Sequence, residues 1–130
     1  MVSILHHVNG EIKKLSIKEF SQVFRQPDGV VWIDLENPSD AEEETLLVSL
    51  LDIHPLAIED VQRGRDEEGH LPKVEDFGDY LFIIFNPIEG KDGGVEVREP
   101  EKLEIRTSQL SAFLLKRMLV THHYTPLRSI

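Results

Sequence analysis

Cysteine, long apolar runs and positive charge are absent or scarce in this sequence. There is no cysteine among its 130 residues, which excludes disulfide bonds and zinc sites built from thiolates. No stretch approaches the roughly 20 consecutive apolar residues that a membrane-spanning helix requires. The first residues lack the succession of basic patch, apolar segment and small-residue cleavage site, so we expect no signal peptide and a cytoplasmic location.

Acidic residues outnumber basic ones. The chain has 14 lysines and arginines against 24 acids, a formal net charge of −10 at pH 7. This balance disfavours a surface that follows phosphates and favours attraction of cations or basic surfaces, so no nucleic acid partner is expected. The hydrophobic fraction of 40% is ordinary for a folded protein. At this length we expect one domain, residues 1–130, with a buried core.

Strand patterns and helix patterns alternate along the chain. Asn9-Gly10 predicts a hairpin turn, and two capping boxes, Ser16 with Glu19 and Ser39 with Glu42, predict helix starts. Because strands are interleaved with helices and two pairings look like hairpins, the sequence predicts an α/β fold with a mixed sheet. The strands are predicted at residues 2–8, 11–15, 30–35, 80–85, 103–115 and 118–124.

The third of these strands is β-branched and aromatic throughout. The run Val30-Val31-Trp32-Ile33-Asp34-Leu35 is typical of a strand that is buried on both faces. We therefore expect Trp32 to be buried in the central sheet.

The stretch DIHPLAIEDV, residues 52–61, predicts a helix that carries acids at its wrong end. Pro55 fits the first turn, and the helix should run to about Gln62, burying one side through Ile53, Leu56, Ala57 and Val61. Glu59 and Asp60 then lie in the last turn, where the helix dipole disfavours each acid by roughly 0.3–1 kcal/mol. Two explanations are open: Arg63, four residues after Glu59, pairs with it, or the acids bind a divalent cation.

The same residues do not form a catalytic constellation. At about 100° per residue His54 and Glu59 are about 140° apart around the helix, so they cannot converge on one ion or proton from that element. No HExxH, GxSxG, phosphate-binding loop or dinucleotide fingerprint is present. The pairs His6-His7 and His122-His123 fall in predicted strands, where neighbours point to opposite faces. We do not expect an enzyme.

Four segments carry a resemblance to a known family. The order VWIDLENP, IHPLAIEDV, LPKVEDFGDYLFIIF and LVTHH resembles the N-terminal cytoplasmic domain of the CorA family of magnesium and cobalt transporters. The resemblance covers nearly the whole chain and implies an α/β/α sandwich with a mixed sheet. It also implies a longer protein, a homopentamer at the cytoplasmic face of the cell membrane, whose stalk helix and transmembrane part follow this domain.

The resemblance assigns a role to the acids at the helix end. By matching position it implies that Asp60, with Glu59 beside it, is half of a regulatory divalent-cation site that faces a neighbouring subunit. Carboxylate oxygens suit Mg²⁺, and Co²⁺ would also bind; Ni²⁺ and Zn²⁺ stay open as transported ions. The resemblance thus implies a cytosolic cation-sensing domain that does not transport by itself.

The sequence also departs from the family pattern. Leu71-Pro72-Lys73 stands where the family has Arg-Pro-Lys, and residues 64–69 resemble an insertion. Its acids Asp66, Glu67 and Glu68 either add ligands or form a solvated charge run. Two other hypotheses remain: a free-standing soluble interaction module with the same fold, and a small metal-dependent hydrolase, which would need a cluster of histidine and carboxylates in a pocket.

Overall fold

The computed structural model describes residues 1–25, 28–66, 71–89 and 106–127. Strands and helices alternate along it as the sequence predicts. The strands are β1 Val2–Val8, β2 Glu11–Leu15, β3 Val30–Glu36, β4 Lys73–Asp76, β5 Tyr80–Phe85, β6 Ile88–Glu89, β7 Arg106–Thr107, β8 Leu110–Leu115 and β9 Met118–His123. The α-helices are α1 Ile17–Val23, α2 Asp40–Glu43 and α3 Pro55–Gln62; a π-helix, Glu44–Leu50, continues α2, and a 3₁₀ turn, Arg63–Arg65, follows α3.

Seven strands form one mixed sheet in the order β2-β1-β3-β9-β8-β5-β4, and β6 pairs with β7 apart from it. Strands β3 and β9 run parallel, whereas the other five neighbouring pairs run antiparallel. The predicted α/β fold with a mixed sheet is therefore confirmed. Strand β4 was not predicted from the sequence. Residues 67–70 and 90–105, which include part of the acidic insertion and the predicted loop, lie outside the described residues.

Two glycines explain how the first three strands meet. Asn9 and Gly10 both have positive φ, 53° and 75°, as the predicted Asn-Gly hairpin turn requires. Gly29, with φ 74°, brings the start of β3 so close to β1 that an added Cβ would lie 2.0 Å from the His7 carbonyl oxygen. Only glycine fits that approach without moving the backbone.

The described helices bury their apolar sides on one face of the sheet. Phe20 of α1, Leu47 of the π-helix and Ala57 of α3 are fully buried in a single core with Ile33 and Phe113 of the sheet. The capping boxes at both predicted positions are present. The prediction that Leu56 is buried is wrong, since it is 62% exposed. The face of α3 that packs on the core is the one that carries Ala57 and Val61.

The other face of the sheet is open in the part of the chain that the structure describes. Val30, Trp32 and Leu114 are 51%, 37% and 47% exposed, whereas Val31 and Ile33, which alternate with them on β3, are buried. The expectation that this strand is buried on both faces, with Trp32 enclosed, is therefore wrong. The predicted α/β/α sandwich has helices on both faces of the sheet, and the described residues contain the helical layer of one face. Among them, no helix combines the length and the apolar character needed to cross a membrane.

The half-exposed position of Trp32 sets the expected cost of removing it. Its indole Nε1 donates a hydrogen bond of 3.0 Å to Thr121 Oγ1, and the residue is 37% exposed. We expect Trp32→Ala to lower the free energy of unfolding by about 2 kcal/mol, below the 3–5 kcal/mol of a fully buried aromatic. Urea unfolding followed by far-UV circular dichroism measures this. Trp32→Phe, which removes the hydrogen bond and keeps most apolar area, should cost about 1 kcal/mol; equal losses would contradict the packing described.

Candidate functional site

Helix α3 begins at the predicted proline and ends at the predicted residue. His54 caps it, since its Nδ1 accepts a hydrogen bond of 3.1 Å from the Leu56 amide, and Pro55 occupies the first turn. The Tyr80 hydroxyl of β5 accepts a hydrogen bond of 2.9 Å from the His54 amide, which ties the start of the helix to the sheet. One nitrogen of the imidazole, Nδ1, therefore serves as the helix cap.

Asp60 lies between α3 and the edge strand β4. Its Oδ2 accepts a hydrogen bond of 2.5 Å from Lys73 Nζ, and the two side chains are only 16% and 24% exposed. Lys73 also forms an ion pair with Glu75. Burial alone would lower the pKa of Lys73, but hydrogen bonds and charge from Asp60 and Glu75 outweigh it and raise that pKa. One ammonium thus bridges two carboxylates on different elements, and the three groups together keep one net negative charge.

Glu59 points to solvent with its own partner. Its Oε1 lies 3.4 Å from Arg63 Nη2, with the two side chains 62% and 53% exposed. This is the i, i+4 pairing considered from the sequence, and an exposed pair of this kind contributes only about 0.3–0.5 kcal/mol. The structure therefore gives each acid a different cationic neighbour, and their role in binding a metal stays a prediction.

The start of the suspected insertion is tied to the fold by an arginine. Arg65 Nη2 donates to Asp40 Oδ1 at 2.8 Å, and its guanidinium lies 4.9 Å from the Tyr124 ring centre. Asp66 is exposed, while Glu67 and Glu68 lie outside the described residues. Whether these acids add metal ligands therefore stays a prediction.

A buried acid that the sequence did not single out, Glu43, is the last residue of α2 and contacts the sheet. Glu43 Oε1 accepts hydrogen bonds from His122 Nε2 at 2.9 Å and from the Tyr124 hydroxyl at 2.7 Å. Burial alone would raise the pKa of Glu43, but these two bonds, the His122 charge and a bond from Gln62 lower it from 4.5 to about 2. Glu43 is therefore ionised throughout the physiological range.

His123 points to the opposite face of the sheet, as the alternation of a strand predicts. Its Nε2 lies 3.0 and 3.1 Å from the two carboxylate oxygens of Asp34, and its Nδ1 lies 2.6 Å from the Thr125 carbonyl oxygen. With Glu36, these side chains bring three potential metal-ligating atoms within 4.8 Å of one another. The sequence did not predict this cluster, because β3 and β9 are far apart in the chain.

Comparisons with known proteins agree on one family. The family described as CorA-like Mg²⁺ transporter protein matches residues 27–130. A Schizosaccharomyces pombe protein that is named as a metal ion transporter is 30% identical over 106 residues, which cover 82% of this chain and 12% of that protein. The chain thus spans a small part of that relative.

Two solved structures share the fold. The complete CorA magnesium transporter from Methanocaldococcus jannaschii matches 99% of this chain and 34% of its own with a TM-score of 0.64 and 20% identity. The soluble domain of the CorA protein from that organism matches 99% of this chain and 42% of its own with a TM-score of 0.57 and 23% identity. At these identities the likeness establishes the architecture and leaves the role of each side chain to be argued.

Proposed function

The chain belongs to the CorA-like Mg²⁺ transporter family, and from that premise we propose that it is the N-terminal cytoplasmic domain of a longer divalent-cation transporter. We also propose that Asp60 and Glu59 sense divalent cations. The proposed partners are neighbouring subunits of the same protein, which the family resemblance implies to be a homopentamer. Among the described residues, one sheet face exposes Val30, Trp32 and Leu114, and an exposed apolar surface of this kind marks a place where another segment or another subunit packs. Two closely spaced apolar stretches of about 20 residues in the encoded sequence past residue 130 would distinguish the longer transporter from a free-standing interaction module.

The observation that carries the sensing role is the position of Lys73 between Asp60 and Glu75. The ammonium contacts both carboxylates, so it occupies the place where a small hard cation would find oxygen ligands. A divalent ion must displace this lysine before it can bind Asp60 directly. Lys73 therefore acts as an internal competitor that keeps the affinity of the isolated domain low.

Low affinity per site is sufficient for regulation in a symmetric assembly. A dissociation constant near 1 mM corresponds to only about −4 kcal/mol. Shifting an equilibrium from mostly open to mostly closed requires roughly 5.5 kcal/mol of differential binding in total. If five subunit interfaces share it, each needs only about 1 kcal/mol. Bound Mg²⁺ would hold acidic neighbours together, and its loss would let them separate.

The sensing role is tested in a longer chain that includes the helix following residue 130. We expect Mg²⁺ to protect this protein from proteolysis, because filled interface sites hold the subunits together. Asp60→Ala should shift that protection to higher Mg²⁺ by about tenfold, the equivalent of about 1.4 kcal/mol. If both proteins are protected over the same Mg²⁺ range, Asp60 is not the sensor.

Competition by Lys73 gives a second prediction within residues 1–130. Lys73→Met retains the aliphatic part of the side chain and removes the ammonium, so we expect Mg²⁺ affinity, measured by isothermal titration calorimetry, to increase about tenfold. Lys13→Met on exposed strand β2 is the matched control for the lost charge. An equal gain in both variants would mean that general electrostatics, not competition at Asp60, sets the affinity; adding Asp60→Asn to Lys73→Met should cancel the gain.

A further inference from the structure

The cluster of Asp34, Glu36 and His123 lies away from the proposed sensing site. In the parallel pair of β3 and β9, Asp34 is opposite Thr121 and Glu36 is opposite His123, and partners in register project from the same face of a sheet. Asp34 and Glu36 alternate with the buried residues Ile33 and Leu35. They therefore lie on the face away from α3 and Asp60.

The hydrogen bonds of His123 fix which ring nitrogen is available. The Thr125 carbonyl oxygen, 2.6 Å from Nδ1, can only accept, so Nδ1 carries a proton. In the neutral ring, Nε2 then has a lone pair directed at Asp34, whose two oxygens lie 3.0 and 3.1 Å away. A lone pair facing a carboxylate is repulsive unless a positive charge lies between them. The contact therefore requires a proton between Nε2 and the carboxylate, carried by either group, or a metal ion.

The side chains around Asp34 orient its carboxylate. The Thr121 hydroxyl donates a hydrogen bond of 2.6 Å to Asp34 Oδ1, and Trp32 Nε1 in turn donates to that hydroxyl at 3.0 Å. Metal-binding histidines typically donate their other ring nitrogen to a carbonyl, and metal-binding carboxylates are themselves hydrogen-bonded. Both features are present here: the Thr125 carbonyl faces His123 Nδ1, and the Thr121 hydroxyl donates to Asp34.

The types of ligand in the cluster suit a transition-metal ion. The two carboxylates attract cations, and the N-terminal ammonium, which donates to the Glu36 carbonyl oxygen, lies beside them. The 3.0 Å between Nε2 and Oδ1 is an ordinary N–H···O separation, and it also equals the spacing of two ligands at about 90° around an ion with bonds of about 2.1 Å. One imidazole with two carboxylates suits Zn²⁺, Co²⁺ and Ni²⁺ better than Mg²⁺.

We propose that His123, Asp34 and Glu36 form a binding site for a divalent transition-metal ion on the open face of the sheet. His123 is 1% exposed and supplies nitrogen from within the fold. The Asp34 side chain is 17% exposed, and Glu36 is half-buried. The backbone of Glu36 is hydrogen-bonded to Met1, whereas its carboxylate makes no hydrogen bond or ion pair among the described residues. These two carboxylates provide the path by which an ion reaches the ring.

The test is a Co²⁺ titration of residues 1–130, followed by the visible absorption of bound Co²⁺. We expect one ion per chain, displaced by Zn²⁺ and not by a large excess of Mg²⁺. Glu36→Gln and Asp34→Asn should each weaken Co²⁺ at least tenfold, while circular dichroism establishes that each variant is folded. Two variants serve as controls: Glu44→Gln for an exposed acid on the helical side of the sheet and His7→Ala for the exposed histidine of the pair on β1.

The outcomes are distinct. Loss of affinity in Glu36→Gln and Asp34→Asn with both controls unchanged supports the site. The proposal is overturned if Co²⁺ binds the folded Glu36→Gln protein as tightly as the parent, or if His7→Ala removes the absorption. It is also overturned if Mg²⁺ displaces Co²⁺ at equal concentration, because the imidazole would then not be a ligand.

Discussion

Replacing Phe113 by alanine should lower the free energy of unfolding by about 3–5 kcal/mol, the cost of emptying a fully buried aromatic position. Phe113 is 0% exposed. Its ring stacks on Phe82 at 4.9 Å between centres and meets Tyr80 edge-on at 5.8 Å. Its loss removes apolar burial and two aromatic contacts together and leaves a cavity between β5 and β8. Urea unfolding followed by far-UV circular dichroism measures the change.

The next residue provides the control for this prediction. Leu114 lies on the same strand with its side chain on the open face, 47% exposed. Leu114→Ala should cost about 1 kcal/mol, because less apolar area is removed and no closed cavity forms. If Leu114→Ala is as destabilising as Phe113→Ala, the open face is covered in solution, and the assignment of the two faces is wrong.

Local rules predicted the elements well because they act over a few residues. The capping boxes at Ser16 and Ser39, the turn at Asn9-Gly10 and the start of α3 at Pro55 all depend on groups within four positions of one another. The burial of Trp32 could not be predicted in this way. A β-branched run has the same composition whether one or both faces of its strand are covered, and what covers them lies elsewhere in the chain.

In the candidate sites too, contacts between residues close in sequence could be predicted, whereas contacts between distant residues could not. The Glu59–Arg63 pair follows from helical spacing alone, and the structure contains it. Lys73, which pairs with Asp60, lies on β4, a strand that the sequence did not predict. Glu43 and His122 are 79 positions apart, so no local pattern relates them. His122-His123 did carry one usable signal, the alternation of a strand, which sends the two rings to opposite faces.

Stability should fall in acid because Glu43 must take up a proton. The pKa of Glu43 is about 2 in the folded protein and ordinarily 4.5. A lowered folded pKa contributes stability that is fully present above the unfolded value and is lost as the pH falls through the folded one. The window is therefore from about pH 4.5 to pH 2. The shift corresponds to roughly 3 kcal/mol, and the Glu43 side chain is only 5% exposed, so little of it is screened by solvent.

Glu43→Gln isolates this contribution, because glutamine resembles the protonated acid in shape and charge. At neutral pH we expect the variant to be less stable than the parent by roughly 3 kcal/mol, and near pH 2 the two should be almost equally stable. Urea unfolding at a series of pH values measures the difference. Glu44→Gln, the adjacent exposed acid, should leave the pH profile of the parent unchanged. A difference between Glu43→Gln and the parent that stays constant from neutral pH to pH 2 would mean that the carboxylate is held by shape alone, and that its hydrogen bonds from His122 and Tyr124 do not favour the ionised form.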